Sequence, residues 1–233
     1  MVDAFLITCE HGGNRIPLPY RELFRGYRAL LDSHRGYDPG SLVLARAIAA
    51  ALRGLLLTST VSRLLVDLNR SIGHPRVFSA ATRGAPAKLR SKIVDQYYRP
   101  YREQAEHFVS QSVSRGRRVI HISAHSFTPK LNGQVRRADV GLLYHPGRRG
   151  EVELCARWKA ALASMAPELR VRRNYPYAGK GDGLTSHLRL RFPPGAYVGI
   201  ELEVNQGIVL TAGRCWTALR RLLVDSLREA CAA

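Results

Sequence analysis

The chain has 233 residues, 45% of them hydrophobic, enough to bury the core of one large domain, and no apolar run approaches the ~20 residues that cross a bilayer. Against 36 basic residues stand 18 acidic ones, a formal net charge of +18, which raises nucleic-acid binding as one reading. The four cysteines, Cys9, Cys155, Cys215 and Cys231, lack CxxC spacing, which argues against a disulfide framework or a thiolate zinc site and for reduced thiols in a cytoplasmic protein.

The N-terminus has no basic stretch and carries an early Asp3, so no signal peptide is expected. "AFLIT" (4–8) reads as a buried strand that runs into Glu10, His11 and two glycines. "GSLVLARAIAAALRG" (40–54) has apolar residues at helical spacing, with Asp38 and Pro39 before it and Gly54 as a stop. The β-branched content of 54–69 predicts one or two strands. Residues 85–116 form a long helical pattern broken near Pro100, its aromatic run "DQYYRPYREQ" serving as the buried stripe. Strands are predicted over 117–125, ending in histidine, and over 139–146. An amphipathic helix follows at 149–167, then a strand at 169–177 and a Gly-rich loop at 178–183, with Asp182 and its glycines near the pocket but without the strand-to-helix context of a phosphate loop. A strand at 196–206 and an amphipathic helix at 212–232 close the chain. Strands alternating with helices predict an α/β fold in three αβα layers, a mixed, mostly parallel sheet with helices on both faces, in a single catalytic domain over 1–233. The arginines are spread along this whole pattern, with no basic tail, RNA-binding aromatic signature or zinc-finger spacing. That argues against a nucleic-acid partner and for a field that draws small anions into a cleft.

Three candidate ligands fall at element ends: His11 after the first strand, His125 after the strand ending near 124, and Asp38 before the 40–54 helix. In an open sheet these ends share one rim. Two imidazoles and a carboxylate suit a divalent metal, and zinc in such a set lowers the pKa of its bound water to roughly 7. Asp38 also reads as a plain helix N-cap. In "SRLLVDLNRS" (62–71), the strand period puts Arg63, Leu65, Asp67 and Asn69 on one face. Arg70 beside Asn69 can clamp a substrate carboxylate, Arg63 can polarise a carbonyl, and Asp67 can orient a guanidinium; a surface ion-pair patch is the plainer account. In "GIELEVNQ" (199–206), Glu201 and Glu203 share a face, and Glu203, nearer the rim, is the candidate base. His34 and His121 read as structural groups, since His121 and His125 on one strand lie ~13 Å apart.

"TCEHGGNRIP", "RGYDPGS", "SRLLVDLNR", "ISAHSFTPKLNGQVRRADVGLLYHP" and "VGIELEVNQ", in that order, resemble the N-formylglutamate amidohydrolase family over about residues 7–206. The resemblance implies a zinc hydrolase with a fold similar to the zinc carboxypeptidases, of the phosphorylase/hydrolase-like kind. It implies cleavage of N-formyl-L-glutamate to formate and glutamate, the last step of one histidine-degradation route. "DLNR" also resembles the aspartoacylase branch, whose Asn–Arg pair holds the substrate carboxylate. Carried over, His11 and His125 match the metal histidines, Glu203 the general base, Arg63 the carbonyl polariser, and Asn69 with Arg70 the clamp. Carboxypeptidase-like enzymes have His-x-x-Glu, where this chain has Asn14; cell-wall amidases of similar fold take a carboxylate from a later helix start, where this chain has Asp38. The expected metal set is therefore His11, Asp38 and His125, with Asn14 beside the ligands or facing substrate. The expected partner is a small anionic acyl-amino acid, with no membrane and no nucleic acid, bound by a monomer or homodimer. Two alternatives stand beside this reading. One is a zinc amidase or carboxypeptidase acting on another acyl-amino acid or cell-wall peptide. The other is a non-catalytic basic binding module, with no metal and a steep salt dependence.

Overall fold

A computed structural model describes residues 3–211 and 213–232. In chain order the elements are β1 (Asp3–Cys9), α1 (Arg28–Leu31), α2 (Ser41–Leu52), β2 (Leu55–Thr58), α3 (Ala80–Arg83), α4 (Ala87–Ile93), α5 (Arg99–Ser114), β3 (Arg118–Phe127) and the small hairpin β4 (Lys130–Leu131) and β5 (Gln134–Val135). They continue as β6 (Val140–Leu143), α6 (Arg149–Met165), β7 (Val171–Arg173), α7 (Leu184–Arg191), β8 (Tyr197–Asn205), α8 (Gln206–Leu210) and α9 (Arg214–Ala232). Six strands form one sheet in the order β2-β1-β3-β8-β6-β7. The first four run parallel; β6 lies antiparallel to β8 and parallel to β7. This is the mixed, mostly parallel sheet that the alternation of elements predicts.

Each strand sends alternate side chains to opposite faces. Ile7, Ile122, Ile200 and Leu202 pack with Leu44 and Ile48 of α2, Trp158 and Leu162 of α6, and Leu223 and Leu227 of α9. On the other face, Ala4, Leu6, Val119 and Tyr197 pack with Ile93 of α4, Tyr101 and Val109 of α5, and Leu184 and Leu188 of α7. Burying one such side chain is worth ~1.5–3 kcal/mol, so both layers are held mainly by apolar area. The second face changes character along its length. Towards the C-terminal ends of β1, β3 and β8, the same alternation that gave Leu6, Val119 and Tyr197 gives Thr8, His121, Ser123, His125 and Glu203, all buried. A polar floor thus opens where three parallel strands end together.

Several predicted elements differ in detail. The 85–116 helix is interrupted by a π turn at Val94–Tyr98, just ahead of Pro100 in the first turn of α5. A proline there has no N–H to give and its ring would collide with the carbonyl four residues back, so the turn widens. The strand expected at 62–69 is a run of turns. Ser62 Oγ accepts from the Leu64 amide and Asp67 Oδ1 from the Asn69 amide, at 3.2 and 3.0 Å, so side chains replace the ladder bonds a strand would need. The shared strand face for Arg63, Leu65, Asp67 and Asn69 is therefore overturned: Leu65 is fully buried, while the three polar residues reach one cavity from turns. β3 extends past the predicted end to Phe127, and α7 begins right after the Gly-rich loop. The predicted 212–232 helix is seen from Arg214; residue 212 lies outside the described residues.

Candidate metal centre

His11 follows β1 in a turn whose backbone passes close to the neighbouring chain: a Cβ on Gly13 would lie 2.7 Å from the Thr60 carbonyl oxygen, so only glycine fits there. Asp38 stands before α2, where Gly40, with φ of 79°, is the N-cap residue and no side chain caps the helix. The capping account of Asp38 is thereby excluded. Its carboxylate instead faces two imidazoles, with Oδ2 2.8 Å from His125 Nδ1 and 3.3 Å from His11 Nδ1. One ligand atom from each of the three residues lies within 4.8 Å of the others, and all three residues are buried.

The remote ring nitrogens are also engaged. His11 Nε2 is 2.8 Å from Asp67 Oδ1, and His125 Nε2 is 2.8 Å from Ser123 Oγ. Contacts of this kind govern which ring nitrogen keeps its proton when the other serves as a ligand. Asp67 Oδ2 accepts from Arg63 Nε and Nη2 at 3.2 and 2.8 Å, and Arg63 Nη1 reaches Asp38 Oδ1 at 3.4 Å. Burial opposes ionisation of Asp67, yet Arg63 and His11 hold its carboxyl well below the usual range. Asp38 is likewise held low: burial works against it, and His11, His125 and Arg63 outweigh the burial. Burial also disfavours charge on His125, but the Asp38 hydrogen bond and the nearby Glu10 carboxylate push it up to about 10. Two imidazoles and one carboxylate within ligating reach of one point are a donor set that fits a divalent cation such as zinc with a position left open.

Glu203 sits opposite His125 in the β3–β8 register. Its Oε2 is buried without a hydrogen-bond partner among the described residues. Burial pushes the carboxyl up to about 8, with Asp38 and Glu201 adding to the rise and His125 and Arg63 opposing it. Glu201, by contrast, accepts from Thr185 Oγ1 at 2.8 Å. Both line a cavity of about 710 Å³ together with His11, Asp38, Arg63, Asp67, Asn69, Arg70 and His125. Asn69 Oδ1 accepts from the Leu184 amide at 2.7 Å and Arg70 Nη1 donates to the Asp182 carbonyl at 2.7 Å. The Asp182 carboxylate in turn takes the amide and hydroxyl of Ser71. The Gly-rich loop thus holds the two clamp candidates in place. Asn14 is elsewhere: its Nδ2 donates to Leu31 O and Asp32 Oδ1, at 3.2 and 3.0 Å, and it does not line the cavity.

The sequence model of the family described as N-formylglutamate amidohydrolase matches residues 3–210. This chain belongs to that family. It is accordingly an amidohydrolase, an enzyme that acts on an amide. Gene product Atu2144 from Agrobacterium tumefaciens has a structure similar to this amidohydrolase, with a TM-score of 0.84 and 26% identity over 98% of this chain and 90% of its own. N-formylglutamate amidohydrolase from Ralstonia eutropha JMP134 shares the fold at a TM-score of 0.70 and 22% identity, over 99% of this chain and 94% of that one. A metallo-carboxypeptidase from Burkholderia cenocepacia aligns more loosely, at 0.41 and 12% identity, over 99% of this chain and 58% of its own. A search of the curated proteins finds no match. No helix among the described residues of the amidohydrolase is long and apolar enough to cross a membrane.

Two groups at this centre escaped the sequence reading. Glu10 and Ser123 are fully buried beneath His125. His121, read as structural, lies further in, between Thr8 Oγ1 at 2.8 Å and the Tyr197 hydroxyl at 2.6 Å. The only signal for Ser123 was its alternation with His121 and His125 along a strand whose other face is apolar. His34 lines the cavity mouth rather than the metal hollow.

Proposed function

We propose that this amidohydrolase is zinc-dependent and hydrolyses the amide of N-formyl-L-glutamate to formate and glutamate, in one catalytic domain over residues 1–233. The observation that carries the reading is the convergence of His11 Nδ1, His125 Nδ1 and the Asp38 carboxylate beside the unpaired carboxylate oxygen of Glu203. The first three would hold the metal, which when bound supplies a Lewis acid for the acyl carbonyl and acidifies water. Glu203 takes a proton from the attacking water as the water oxygen bonds to the acyl carbon. It returns that proton to the nitrogen as the carbon–nitrogen bond breaks, releasing the acid and the amine. The raised pKa of the metal-free protein suits Glu203 to giving a proton to the leaving nitrogen, and the charge of a bound metal would favour the ionised form that accepts the proton of water. Arg63, anchored by Asp67, offers a fixed cation to the oxygen that gains negative charge. Asn69 and Arg70, braced by the 182–184 segment, hold the amino-acid carboxylate. With this reading go a cytoplasmic place, a role in histidine degradation and a monomer or homodimer.

A second reading keeps the chemistry and enlarges the acyl group. N-formylglutamate has only about a dozen non-hydrogen atoms, whereas a cavity of about 710 Å³ is in the range that takes drug-sized ligands. Its rim carries Arg35, Arg76 and Arg83, none of them in an ion pair among the described residues. The deciding experiment pairs elemental analysis with turnover of formyl, acetyl and succinyl amino acids. Zinc near one per chain, with formate release from N-formylglutamate that is lost on chelation and restored by zinc, is the expected result. Faster turnover of a longer acyl group moves the assignment to the second reading, and no turnover dependent on metal refutes both.

A further inference from the structure

Ser123 and Glu10 take no part in the steps above, yet both are buried against a ligand candidate. Ser123 shares the polar face of β3 with His125, and it pairs in register with Thr8 of β1, two residues before Glu10. For His125 to present a bare Nδ1 to the hollow it shares with His11 and Asp38, its one proton must sit on Nε2, and a buried N–H needs an acceptor. Three atoms surround Nε2: Ser123 Oγ at 2.8 Å, Glu10 Oε2 at 3.3 Å and Asn69 Nδ2 at 3.4 Å. The amide nitrogen of Asn69 is itself a donor, its orientation set by the Leu184 amide on Oδ1. Ser123 has a single proton and gives it to Glu10 Oε2 at 2.8 Å, which leaves its lone pairs for Nε2–H. The opposite polarity would leave two bare oxygens facing each other at that distance and would turn the His125 proton towards the metal hollow. The run is therefore directional, from imidazole to hydroxyl to carboxylate.

We propose that Glu10, directly and through Ser123, is the positioning residue that fixes the tautomer and ring orientation of His125, as Asp67 does for His11. The inference rests on the metal reading given above. The two histidines then differ in how they are held: His11 is tied straight to a carboxylate that Arg63 also occupies, and His125 is tied through a hydroxyl to a carboxylate that no arginine pairs with among the described residues. The test is zinc affinity by chelator competition on the whole chain, set beside the thermal midpoint of the chelated protein. Glu10→Gln and Ser123→Ala are expected to weaken zinc binding about 10–100-fold. Ser123→Thr, which keeps the hydroxyl, is expected to recover most of that loss. A packing role would move the midpoint and leave the affinity alone. Wild-type affinity in both Glu10→Gln and Ser123→Ala, or no recovery in Ser123→Thr, overturns the proposal. His125→Ala separates the two readings: if it loses zinc while Glu10→Gln and Ser123→Ala do not, only the positioning role falls, and if it keeps zinc the metal centre falls with it.

Discussion

Replacing Glu203 with Gln separates what the carboxyl does for catalysis from what it does to the fold. Glu203 is buried, its Oε2 is unpartnered, and desolvation pushes it up to about 8 from an ordinary 4.5. A carboxyl whose native pKa is raised favours the fold below its unfolded pKa, and that contribution is lost as pH rises through the native value. At pH 7 the unfolded chain has released the proton and the metal-free native state has mostly kept it. Over the interval from 4.5 to 7, at about 1.4 kcal/mol per unit, the native state is penalised by about 3 kcal/mol. Glutamine has the same shape and no proton to lose, so the chelated Glu203→Gln variant is expected to be more stable by an amount of that order. For a chain this long each kcal/mol is worth ~2–4 °C in Tm, so the midpoint at pH 7 should rise by roughly 6–12 °C. At pH 4.5 and below the two proteins should melt together. Turnover should fall by about 10²–10⁴, the usual contribution of a positioned acid–base group, with zinc content unchanged. Thermal melts at the two pH values and kcat by formate release read both effects on one sample. A variant that is active and no more stable than the parent would refute both the role and the electrostatic argument.

Asp38→Asn should lower zinc stoichiometry by elemental analysis without fraying α2, because no side chain caps that helix; wild-type zinc content would remove Asp38 from the ligand set. A Cβ on Gly183 would lie 2.8 Å from Asn69 Oδ1 and 3.2 Å from Glu201 Oε1, so Gly183→Ala should displace the clamp and raise KM about 10-fold or more, with a smaller change in kcat. An unchanged KM would show that Asn69 does not touch substrate. His121 is pushed down to about 4 by burial, so the native state resists a proton that the unfolded chain accepts near 6.5. Stability present above pH 6.5 is lost as pH falls towards 4, by up to about 3 kcal/mol. Urea midpoints of wild type and His121→Gln should therefore converge on acidification, and parallel curves would contradict the assignment.

Period and punctuation alone made the layered α/β architecture legible. Apolar residues run unbroken over 4–7, alternate with the carboxylates in 200–204 and recur every three or four positions in 40–54 and 149–167, and those patterns are local properties of the backbone. The same patterns put His11, Asp38 and Glu203 at or near element ends, where an open sheet gathers its chemistry. The turns at 62–70 were not legible, because whether Ser62 and Asp67 bond their own backbone or leave it to a ladder depends on what surrounds them. Asn14 follows His11 by three residues yet turns to Leu31 and Asp32, since no helix carries it back over the histidine.

What the residues determined by themselves is which side chains alternate together; what only the tertiary structure decided is which of those alternations meet. His125 and Ser123 share a face by the geometry of any strand, but Glu10 reaches them only because β1 pairs with β3 in this register. Asp38 chooses between capping a helix and facing two imidazoles only when a left-handed Gly40 takes over the N-cap position. Charge and hydrogen-bond demands act over a few ångströms between segments more than 50 residues apart, and no local pattern in the chain encodes that distance.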